Sequence, residues 1–402
     1  MLLFGGTERR TERREEGNVK RLLLTIDEPF MSSEHARIQR TAEGWVLSEL
    51  KARNGVHLNG VRIVEPTVVG GKDIVTLGHS FFLLDHDTSH DRSDFDTRHI
   101  ADAPPGLVTL LPSLGTAIGE LHAVACATTP ITLVGESGTG KELVAEAIHK
   151  LSGRPGPYVP INCGGLARDL IESELFGHVK GAFSGATRNQ PGFIEVADHG
   201  TLMLDEMPSA TPVLQAALLR IIQQQKVTPV GGRAARSVDV RFIAATQRPL
   251  EDAVAMDGFR DDLRARLEGL VFHLPPLRER MPDLGVFVAH ALREQGVRET
   301  DKPGFTLDAA LALFTHAWPL NMRELAMAIE RGRHLAGGKT IERRHLPKWA
   351  AADSDERLKR EVMAELRVTR GNVAEAARRL KRNRTALHRW LKKFEIDPED
   401  FR

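Results

Sequence analysis

The sequence predicts a multidomain protein: an N-terminal β-sandwich, a central α/β domain followed by a helical region, and a C-terminal all-α domain. Three observations lead to this prediction. Short apolar and β-branched runs, separated by Glu-Gly, Asn-Gly and Gly-Gly pairs, fill residues 2–84. Apolar strands alternate with amphipathic helices over residues 107–274, which indicates an open parallel sheet. From residue 275 onward, apolar residues recur at helical intervals.

The length and composition of the chain limit the number and kind of its domains. Its 402 residues, 41% of them hydrophobic, allow about two to four domains with cores of their own. The predicted boundaries are a sandwich over 1–88, a linker over 89–107, an α/β subdomain over 108–275, a helical lid over 276–347, and a linker with the C-terminal domain over 348–402. Cys126 and Cys163 fit a reducing compartment and form no metal-ligand pattern. With no membrane-length apolar run and no signal-peptide pattern, we expect a cytoplasmic protein that does not bind membranes.

The N-terminal region reads as strands and turns. Its strand runs are LLLTI, ARIQ, WVLSEL, GVHLNG, DIVTLG and FFLL, whose length and spacing are typical of a small β-sandwich. The run TERRTERREE before them is interpreted as solvated charge. Residues 85–106 have little apolar content and end in Pro-Pro-Gly, so they are predicted to be a linker.

The central domain opens with a strand, a glycine loop and a helix. Ile131–Val134 is an apolar strand, and the segment after Lys141 has apolar residues at helical spacing. Gly135, Gly138 and Gly140 leave the backbone N–H groups free to turn toward an anion, and the lysine adds a charge for the outer phosphates. The general phosphate-loop pattern has Ser or Thr after this lysine, whereas this chain has Glu142. A phosphate cradle and a glycine-rich turn with a chance lysine are therefore both open at this point.

A second motif favours the phosphate cradle. The apolar strand Thr201–Leu204 ends in Asp205 and Glu206. A buried strand that carries two adjacent carboxylates to its C-terminal end suits metal binding and water activation.

Two longer stretches carry a family resemblance. ESGTGKE, with its Glu142, and ESELFGHVKGAFSGA resemble the AAA+ domain of sigma-54-dependent transcription activators, and the resemblance covers roughly Leu110 to Pro347. It implies ATP and Mg²⁺ as cofactors of an α/β AAA+ P-loop ATPase with a helical lid. It also implies a nucleotide-binding set made of Gly135, Glu136, Ser137, Gly138, Thr139, Gly140, Lys141, Glu142, Thr246, Gln247 and Arg323.

The same resemblance implies roles for single residues. Asp205 would hold Mg²⁺, and Glu206 would polarise the attacking water. Asn162 matches the asparagine that pairs with this glutamate. Arg260 and Arg266, in FRDDLRARL, match two arginine fingers that reach a neighbouring subunit's nucleotide, where their charge would offset that of phosphoryl transfer.

Arg323, in WPLNMREL, matches the lid sensor that touches the γ-phosphate, and Thr246 and Gln247 form the first sensor position. Arg264 is interpreted as part of a solvated helix face.

The segment Gly181, Ala182, Phe183, Ser184, Gly185 and Ala186 places one aromatic ring among small residues, and its two glycines give the segment a poor helix propensity. It is predicted to project as a loop tip from an otherwise helical region and to expose Phe183. In the family this loop contacts sigma-54.

Four positions depart from the family pattern. Ser184 replaces Thr, Gln247 replaces Asn, Leu320 replaces Gly and Met322 replaces Val. The leucine is tolerated only if its backbone is not left-handed. None of the four changes removes a charged catalytic group, so ATP hydrolysis is expected, with its rate left open.

The N-terminal region resembles the forkhead-associated (FHA) domain, a β-sandwich that recognises phosphothreonine. The resemblance rests on SSEHARI and ARNGVHLNG. It implies that Ser32, Arg53 and Asn54 contact a phosphopeptide and that His35 is structural. The glycine-arginine pair of the family is not visible, so phosphothreonine recognition and a degenerate protein-docking sandwich both stay open.

The C-terminal region is strongly basic, with thirteen Lys or Arg against five Asp or Glu between Asp355 and Phe394. Three helices are predicted, over 361–367, 373–380 and 384–393, with Asn372 capping the second. The pattern GNVAEAARRLKRNRTALHRWLKKF resembles the Fis-type helix-turn-helix, although its turn LKRN departs from the usual Leu-Gly-Ile-Ser. The resemblance implies DNA contacts from Arg384, Thr385, His388, Arg389, Lys392 and Lys393.

Together the resemblances imply a sigma-54-dependent activator. It would form a hexameric or heptameric homo-oligomer, bind an upstream enhancer in double-stranded DNA, and use ATP hydrolysis to move the Phe183 loop against the sigma-54 RNA polymerase holoenzyme. The N-terminal domain would gate this motor by docking a phosphothreonine-containing protein. Two other hypotheses remain: a DNA-binding repressor whose nucleotide only sets its oligomeric state, and an AAA+ remodeller of another protein.

Overall fold

The structure is a computed structural model that describes residues 2–6, 10–16, 19–71, 73–84, 104, 106–165, 171–297, 304–350, 359, 362–363, 365–380 and 384–401. Most of the linker predicted over 89–107 lies outside the described residues. Two compact units make up the chain: Met1–Asp91 with Arg298–His316 and Ala328–Arg402, and Arg92–Val297 with Ala317–Met327. Within the described residues, no helix is both long and apolar enough to cross a membrane.

The N-terminal region forms the predicted β-sandwich. Its described residues contain the strands β1 Leu2–Gly6, β2 Arg10–Glu16, β3 Val19–Asp27, β4 Ala36–Thr41, β5 Gly44–Glu49, β6 Val56–Leu58, β7 Val61–Arg62, β8 Thr67–Val69, β9 Ile74–Leu77 and β10 Ser80–Leu83. One sheet has the order β2-β3-β1-β4-β5-β8, and the other has the order β10-β9-β6-β7. Alternating apolar residues of both sheets, among them Leu47, Val56 and Leu77, bury against one another.

The charged run at the N-terminus departs from expectation. Residues Arg10–Glu16 form strand β2, which pairs antiparallel with β3 at one side of the six-stranded sheet. Opposite charges meet across the pair, as in the contact between Lys20 and Glu15. The run is solvated as predicted, but it supplies backbone hydrogen bonds to a sheet edge, where charged residues discourage further strand pairing.

The central region is the predicted open parallel sheet. Its five strands have the order β12-β15-β18-β11-β19, and all the pairings are parallel. The strands and helices along residues 112–273 are α1 Pro112–Ala125, β11 Ile131–Val134, α2 Lys141–Ser152, β12 Tyr158–Asn162, α3 Ile171–Phe176, β13 Gly177–His178, β14 Gln190–Pro191, α4 Phe193–Val196, β15 Thr201–Asp205, α5 Pro212–Gln224, β16 Lys226–Val227, β17 Arg236–Ser237, β18 Arg241–Thr246, α6 Leu250–Asp257, α7 Asp261–Leu267 and β19 Leu270–His273.

Two apolar clusters cover the two faces of this sheet. One packs β12, β15 and β18 against α5 and α7, and the other packs β11 against α1 and α2. Strands β11, β15 and β18 are buried along nearly their whole length, as expected of strands covered on both faces. The carboxyl ends of these central strands therefore meet along one edge, where ligands of open parallel sheets bind.

Further helices follow the sheet in the part of the chain that the structure describes. They are α8 Leu284–Glu294, α9 Leu307–Thr315, α10 Asn321–Ala336, α11 Val373–Arg379 and α12 Arg384–Phe394. Two short 3₁₀ turns, Leu277–Glu279 and Met281–Asp283, link β19 to α8. Residues 365–368 are also helical. The side chain of Asn372 accepts a hydrogen bond from the Glu375 backbone N–H, which is the predicted cap of α11.

Candidate functional site

The glycine loop joins β11 to α2 in the geometry of a phosphate cradle. Gly138 has φ +77° and Gly140 has φ +95°, conformations that side-chain-bearing residues rarely adopt. The side chain of Lys141 turns back over the loop, where its Nζ donates to the Gly135 carbonyl at 2.7 Å and to the Glu136 carbonyl at 3.0 Å. Backbone N–H groups, a helix N-terminus and one ammonium therefore occur together, a combination that fits a nucleotide phosphate.

Charges of both signs act on this lysine. Burial lowers the pKa of Lys141, the carboxylates of Asp205 and Glu206 oppose that shift, and Arg323 adds to it. Side chains separated by up to 182 residues in sequence are thus close enough in space to interact electrostatically. The arrangement can bind a polyanion beside the cations and a divalent cation beside the carboxylates.

The acidic pair Asp205–Glu206 and the side chain of Asn162 lie at the ends of two adjacent strands. Strand β12 ends at Asn162, which lies opposite Asp205 in the parallel register with β15. The Asn162 amide nitrogen donates to Glu206 Oε2 at 3.2 Å, and the asparagine Oδ1 accepts from the backbone N–H groups of Gly164 and Gly165. These two backbone bonds fix which end of the amide faces Glu206.

Glu206 itself has a strained backbone. Its φ is +53°, in the left-handed region that glutamate seldom occupies. The Asp205 side chain accepts a hydrogen bond from the Glu206 N–H at 2.9 Å and so supports this turn. Strain maintained at the end of a buried strand is typical of a catalytic position.

The residues predicted to form the first sensor position lie at the end of β18, a strand between β15 and β11. Thr246 is buried, and its hydroxyl donates to the Arg248 carbonyl at 2.6 Å. Gln247, the next residue, is exposed. The Glu142 side chain is exposed at the start of α2.

The candidate arginine fingers occur at α7. Arg260 precedes this helix and forms an exposed ion pair with Asp262, with 2.7 Å between Nη2 and Oδ2. Arg266 is exposed on the helix. Arg264 bonds to Asp261 and Glu268, in agreement with its interpretation as part of a solvated face.

The start of α10 contacts the glycine loop directly. Arg323 Nη1 lies 3.4 Å from Ser137 Oγ, and the Met322 N–H donates to the Gly138 carbonyl at 3.0 Å. Leu320 has no left-handed backbone, so the condition for tolerating it in place of glycine is met; Trp318 (φ +52°) is left-handed instead.

Sequence reasoning missed two residues of this site. Arg278 donates two hydrogen bonds to the Glu136 carboxylate, at 2.6 and 2.9 Å. Asn321 donates to the same carboxylate at 3.1 Å. The asparagine stands two positions before Arg323 in WPLNMREL, but no local pattern reveals its partner, which lies 185 residues away.

The Phe183 loop lies between two short strands that the sequence did not predict, and the helices α3 and α4 flank these strands. Strands β13 and β14 pair on either side of it, and the Gly181 N–H donates to the Ala186 carbonyl at 2.8 Å to close its base. Phe183 is 40% exposed and packs edge-on against His178, with 5.0 Å between ring centroids. Closure by backbone pairing leaves Ala182, Ser184 and Gly185 at the tip, while the Phe183 ring is partly exposed and partly covered by His178.

The candidate phosphopeptide residues lie on neighbouring loops of the sandwich. Ser32 Oγ accepts a hydrogen bond from the Arg53 N–H at 3.0 Å, and the Asn54 amide donates to the Phe30 carbonyl at 2.8 Å. His35 is fully buried, and its ring joins the Ser32 N–H to the Gly55 carbonyl. The histidine thus fixes the two loops that carry the candidate contacts, as the structural role requires.

The C-terminal helices share a small core. Ala376, Ala377, Leu387 and Leu391 are buried together, and the partly buried Leu380 packs against them. The basic side chains stay on the exposed side of α12: Arg384, His388, Arg389, Lys392 and Lys393. The side chain of Thr385 and the turn residues 381–383 lie outside the part of the chain that the structure describes.

Comparison with known proteins agrees with these features. Residues 107–273 match the sigma-54 interaction domain family, residues 278–362 the AAA+ ATPase lid domain, and residues 16–78 the FHA domain. Transcriptional regulatory protein GlrR of Escherichia coli K12 is 38% identical over 311 residues, which cover 74% of this chain and 69% of that protein.

Transcriptional regulatory protein ZraR of Salmonella typhimurium is 41% identical over 289 residues, covering 68% of this chain and 66% of that protein. Among solved structures, NtrX from Brucella abortus in complex with ATP superposes with a TM-score of 0.55 at 30% identity, covering 75% of this chain and 72% of that one.

Proposed function

The chain belongs to the family of sigma-54-dependent transcriptional regulators, and on that premise we propose that it uses ATP hydrolysis to remodel the sigma-54 RNA polymerase closed complex. The observation that carries the proposal is that Lys141 follows β11 and Asp205 ends β15 at the carboxyl edge of the parallel sheet, with Arg323 at 3.4 Å from Ser137 of the glycine loop. The ATP complex of the similar NtrX supports ATP as the nucleotide. When bound, ATP would supply the phosphoryl group and Mg²⁺ would offset its charge.

Each candidate residue at the carboxyl edge of the sheet has a specific role in the proposed reaction. The loop N–H groups and Lys141 bind the phosphates, and Asp205 holds the metal ion. Glu206 orients the attacking water and draws its proton. Asn162, at 3.2 Å from Glu206, holds the carboxylate away from that water until the asparagine contact breaks. Arg260 and Arg266 complete the site of a neighbouring subunit in a ring homo-oligomer, where they offset the charge of the transition state.

The Phe183 loop is the proposed contact with sigma-54. Its aromatic ring is 40% exposed at the tip of a segment closed by backbone bonds. An exposed apolar ring among small residues presents contact area at low conformational cost, which suits a protein-binding tip. Ser184 keeps the hydroxyl of the threonine that it replaces.

The test is open-complex formation by purified sigma-54 polymerase with ATP or with a non-hydrolysable analogue. We expect open complexes with ATP alone. Glu206→Gln should lower phosphate release by about 10²–10⁴-fold and abolish open complexes. Phe183→Ala should keep phosphate release and lose open complexes. Regulation that survives Glu206→Gln would instead support the repressor hypothesis, and regulation that survives Phe183→Ala would support a different protein target.

We also propose that α12 binds enhancer DNA. Five basic side chains are exposed along this helix while its apolar face is buried in the C-terminal core. Lys392→Ala should weaken binding to all sequences and reduce the salt slope of the binding constant by about 1, and Arg389→Ala should relax sequence preference. Lys348→Ala, an exposed lysine in the linker before the C-terminal helices, is the control and should leave binding unchanged. Equal DNA binding by all three variants would refute the assignment.

The FHA region is proposed to dock a phosphothreonine-containing partner through Ser32, Arg53 and Asn54. These residues lie on two loops that His35 joins at one end of the sandwich. Rigid scaffolds commonly carry binding residues on such loops. A pull-down with phosphorylated and unphosphorylated peptides tests the proposal, and equal capture of both would identify the region as a docking sandwich without phosphate selectivity.

A further inference from the structure

The Glu136 carboxylate bonds to residues outside its own loop. It receives two hydrogen bonds from Arg278, at 2.6 and 2.9 Å, and one from the side-chain amide of Asn321, at 3.1 Å. The pKa of Glu136 is lowered, first by the Arg278 hydrogen bonds and then by the Asn321 bond, so the carboxylate stays ionised at neutral pH. We call these three residues the Glu136 cluster.

Asn321 joins three segments through one side chain. Its Oδ1 accepts the Leu277 N–H at 2.7 Å, and its Nδ2 donates to both Glu136 and the Ser137 carbonyl, the latter at 2.9 Å. The residue is fully buried, and its φ is +53°. Asparagine tolerates the left-handed conformation better than most residues, and the direction of its buried side chain is set by its surroundings. Here the surroundings are the Glu136 carboxylate, the glycine loop and the turn that begins at Leu277.

The contact between loop and helix is close. A side chain at Gly138 would place its Cβ 2.3 Å from the Leu320 carbonyl oxygen, so only glycine permits this approach. The Met322 N–H donates to the Gly138 carbonyl, and Arg323 follows in the same turn of α10. The position of the Arg323 guanidinium beside the loop therefore depends on how the start of α10 is held.

A surface ion pair without function is the simplest alternative. The Glu136 and Arg278 side chains are 41% and 44% exposed, and exposed pairs contribute little to stability. The Glu136 cluster differs because its carboxylate also accepts from a buried amide that carries three hydrogen bonds, so losing the carboxylate removes a partner from a buried donor.

We propose that Glu136 is a positioning residue: its carboxylate holds the start of α10 against the glycine loop through Asn321, and thereby sets where Arg323 stands over the nucleotide site. Glu136 acts on the helix rather than on the nucleotide. The effect on Arg323 rests on the proposed ATP site. The claim that Glu136 holds the start of α10 against the glycine loop concerns the nucleotide-free chain alone.

The first experiment measures amide-resolved hydrogen exchange in the nucleotide-free full-length protein. The reporter is the Met322 N–H, whose partner is the loop carbonyl of Gly138. Glu136→Ala should speed its exchange by about tenfold, because the helix start loses a charge-assisted anchor. Glu136→Gln, which keeps an acceptor for Asn321, should give an intermediate rate.

The control is Glu146→Ala. Glu146 pairs with Lys150 on α2 and is 42% exposed, nearly the same fraction as Glu136. This variant should exchange at the wild-type rate at Met322. Unchanged Met322 exchange in Glu136→Ala would overturn the proposal.

Arg278→Lys tests the Glu136 cluster at a residue outside the glycine loop. It is the alternative variant if Glu136→Ala fails to fold. It removes the two-bond geometry that arginine offers a carboxylate. It should speed exchange at Met322 less than Glu136→Ala does, and the two changes together should have no more effect than Glu136→Ala alone. Fully additive effects, or no effect of Arg278→Lys, would show that the arginine and carboxylate do not act as one unit.

Nucleotide affinity gives a second readout. Because Arg323 is proposed to meet the γ-phosphate, Glu136→Ala should weaken binding of a non-hydrolysable ATP analogue about tenfold more than binding of ADP. Equal weakening of both nucleotides with normal Met322 exchange would place the role of Glu136 inside the loop and refute the inference. A wild-type protein that releases no phosphate would defeat the proposed function but leave the exchange result to decide the positioning role.

Discussion

Replacing Asp283 by Asn would leave a buried arginine charge without its counter-ion. Asp283 is 0% exposed and Arg280 is 3% exposed in side-chain area, and their closest atoms are 2.9 Å apart. Asp283 also accepts hydrogen bonds from the Thr109 hydroxyl and the Leu110 N–H, while Arg280 donates to the Val108 carbonyl. The pair thus ties residues 108–110, at the start of the central domain, to the turn before α8.

The expected loss of stability follows from this burial. Removing one partner of a buried ion pair costs about 3–5 kcal/mol, because the other charge remains in an apolar setting. In a folded unit of roughly 150–250 residues, this corresponds to a melting temperature lower by roughly 6–20 °C. Arg280 also lies over the Phe287 ring, 4.8 Å from its centroid, so no water is at hand on that side to solvate the freed charge.

Differential scanning calorimetry of the full chain measures the shift for Asp283→Asn. Glu146→Gln breaks an exposed pair instead and should lower the melting temperature by less than about 2 °C. The double variant Arg280→Met/Asp283→Asn should lose less than the sum of the two single variants, since it leaves no unpaired charge. If Asp283→Asn melts no lower than the control, the pair does not carry the stability that its burial implies.

Three further predictions follow from other parts of the chain. Arg260→Ala should lower phosphate release by about 10³-fold or more, and mixing it with the equally inactive Lys141→Ala should restore part of the activity in a ring that shares its sites; no restoration would show that the sites are not shared. Asn372→Ala should destabilise the C-terminal helices by about 1 kcal/mol in urea unfolding, and an unchanged midpoint would mean that the cap contributes nothing. At pH 8, iodoacetamide should label Cys126, which is exposed, and spare Cys163, since burial raises its pKa to about 12 and keeps it protonated until far higher pH; mass spectrometry would reveal equal labelling if this were wrong.

Much of the site could be predicted from sequence because its signals are local. The glycines of the loop, Lys141 after them and the acidic pair after Thr201–Leu204 each follow directly from a strand, and parallel strands bring their carboxyl ends to one edge. The buried helical core of the C-terminal region likewise follows from periodicity within a few dozen residues.

Other features had no local signal. The strand at Arg10–Glu16 has no apolar alternation, and only its pairing with β3 makes it a strand. The strands that flank the Phe183 loop are only two residues long each. Their conformation depends on contacts with distant parts of the chain, because His178 also forms a β-bridge with Val230. Short segments of this kind adopt the conformation that their tertiary partners impose.

By itself, the sequence determined the order of the domains, the glycine loop between a strand and a helix, and the acidic strand end, because each depends on the spacing of residues that are neighbours in the chain. Only the tertiary structure decided which way the Glu136 carboxylate points, since its partners Arg278 and Asn321 lie 142 and 185 residues away. It also decided that Leu320 could replace a glycine, because the left-handed turn falls on Trp318 and Asn321 instead. Backbone conformation and long-range hydrogen bonds depend on how the whole chain packs, and residue spacing does not encode them locally.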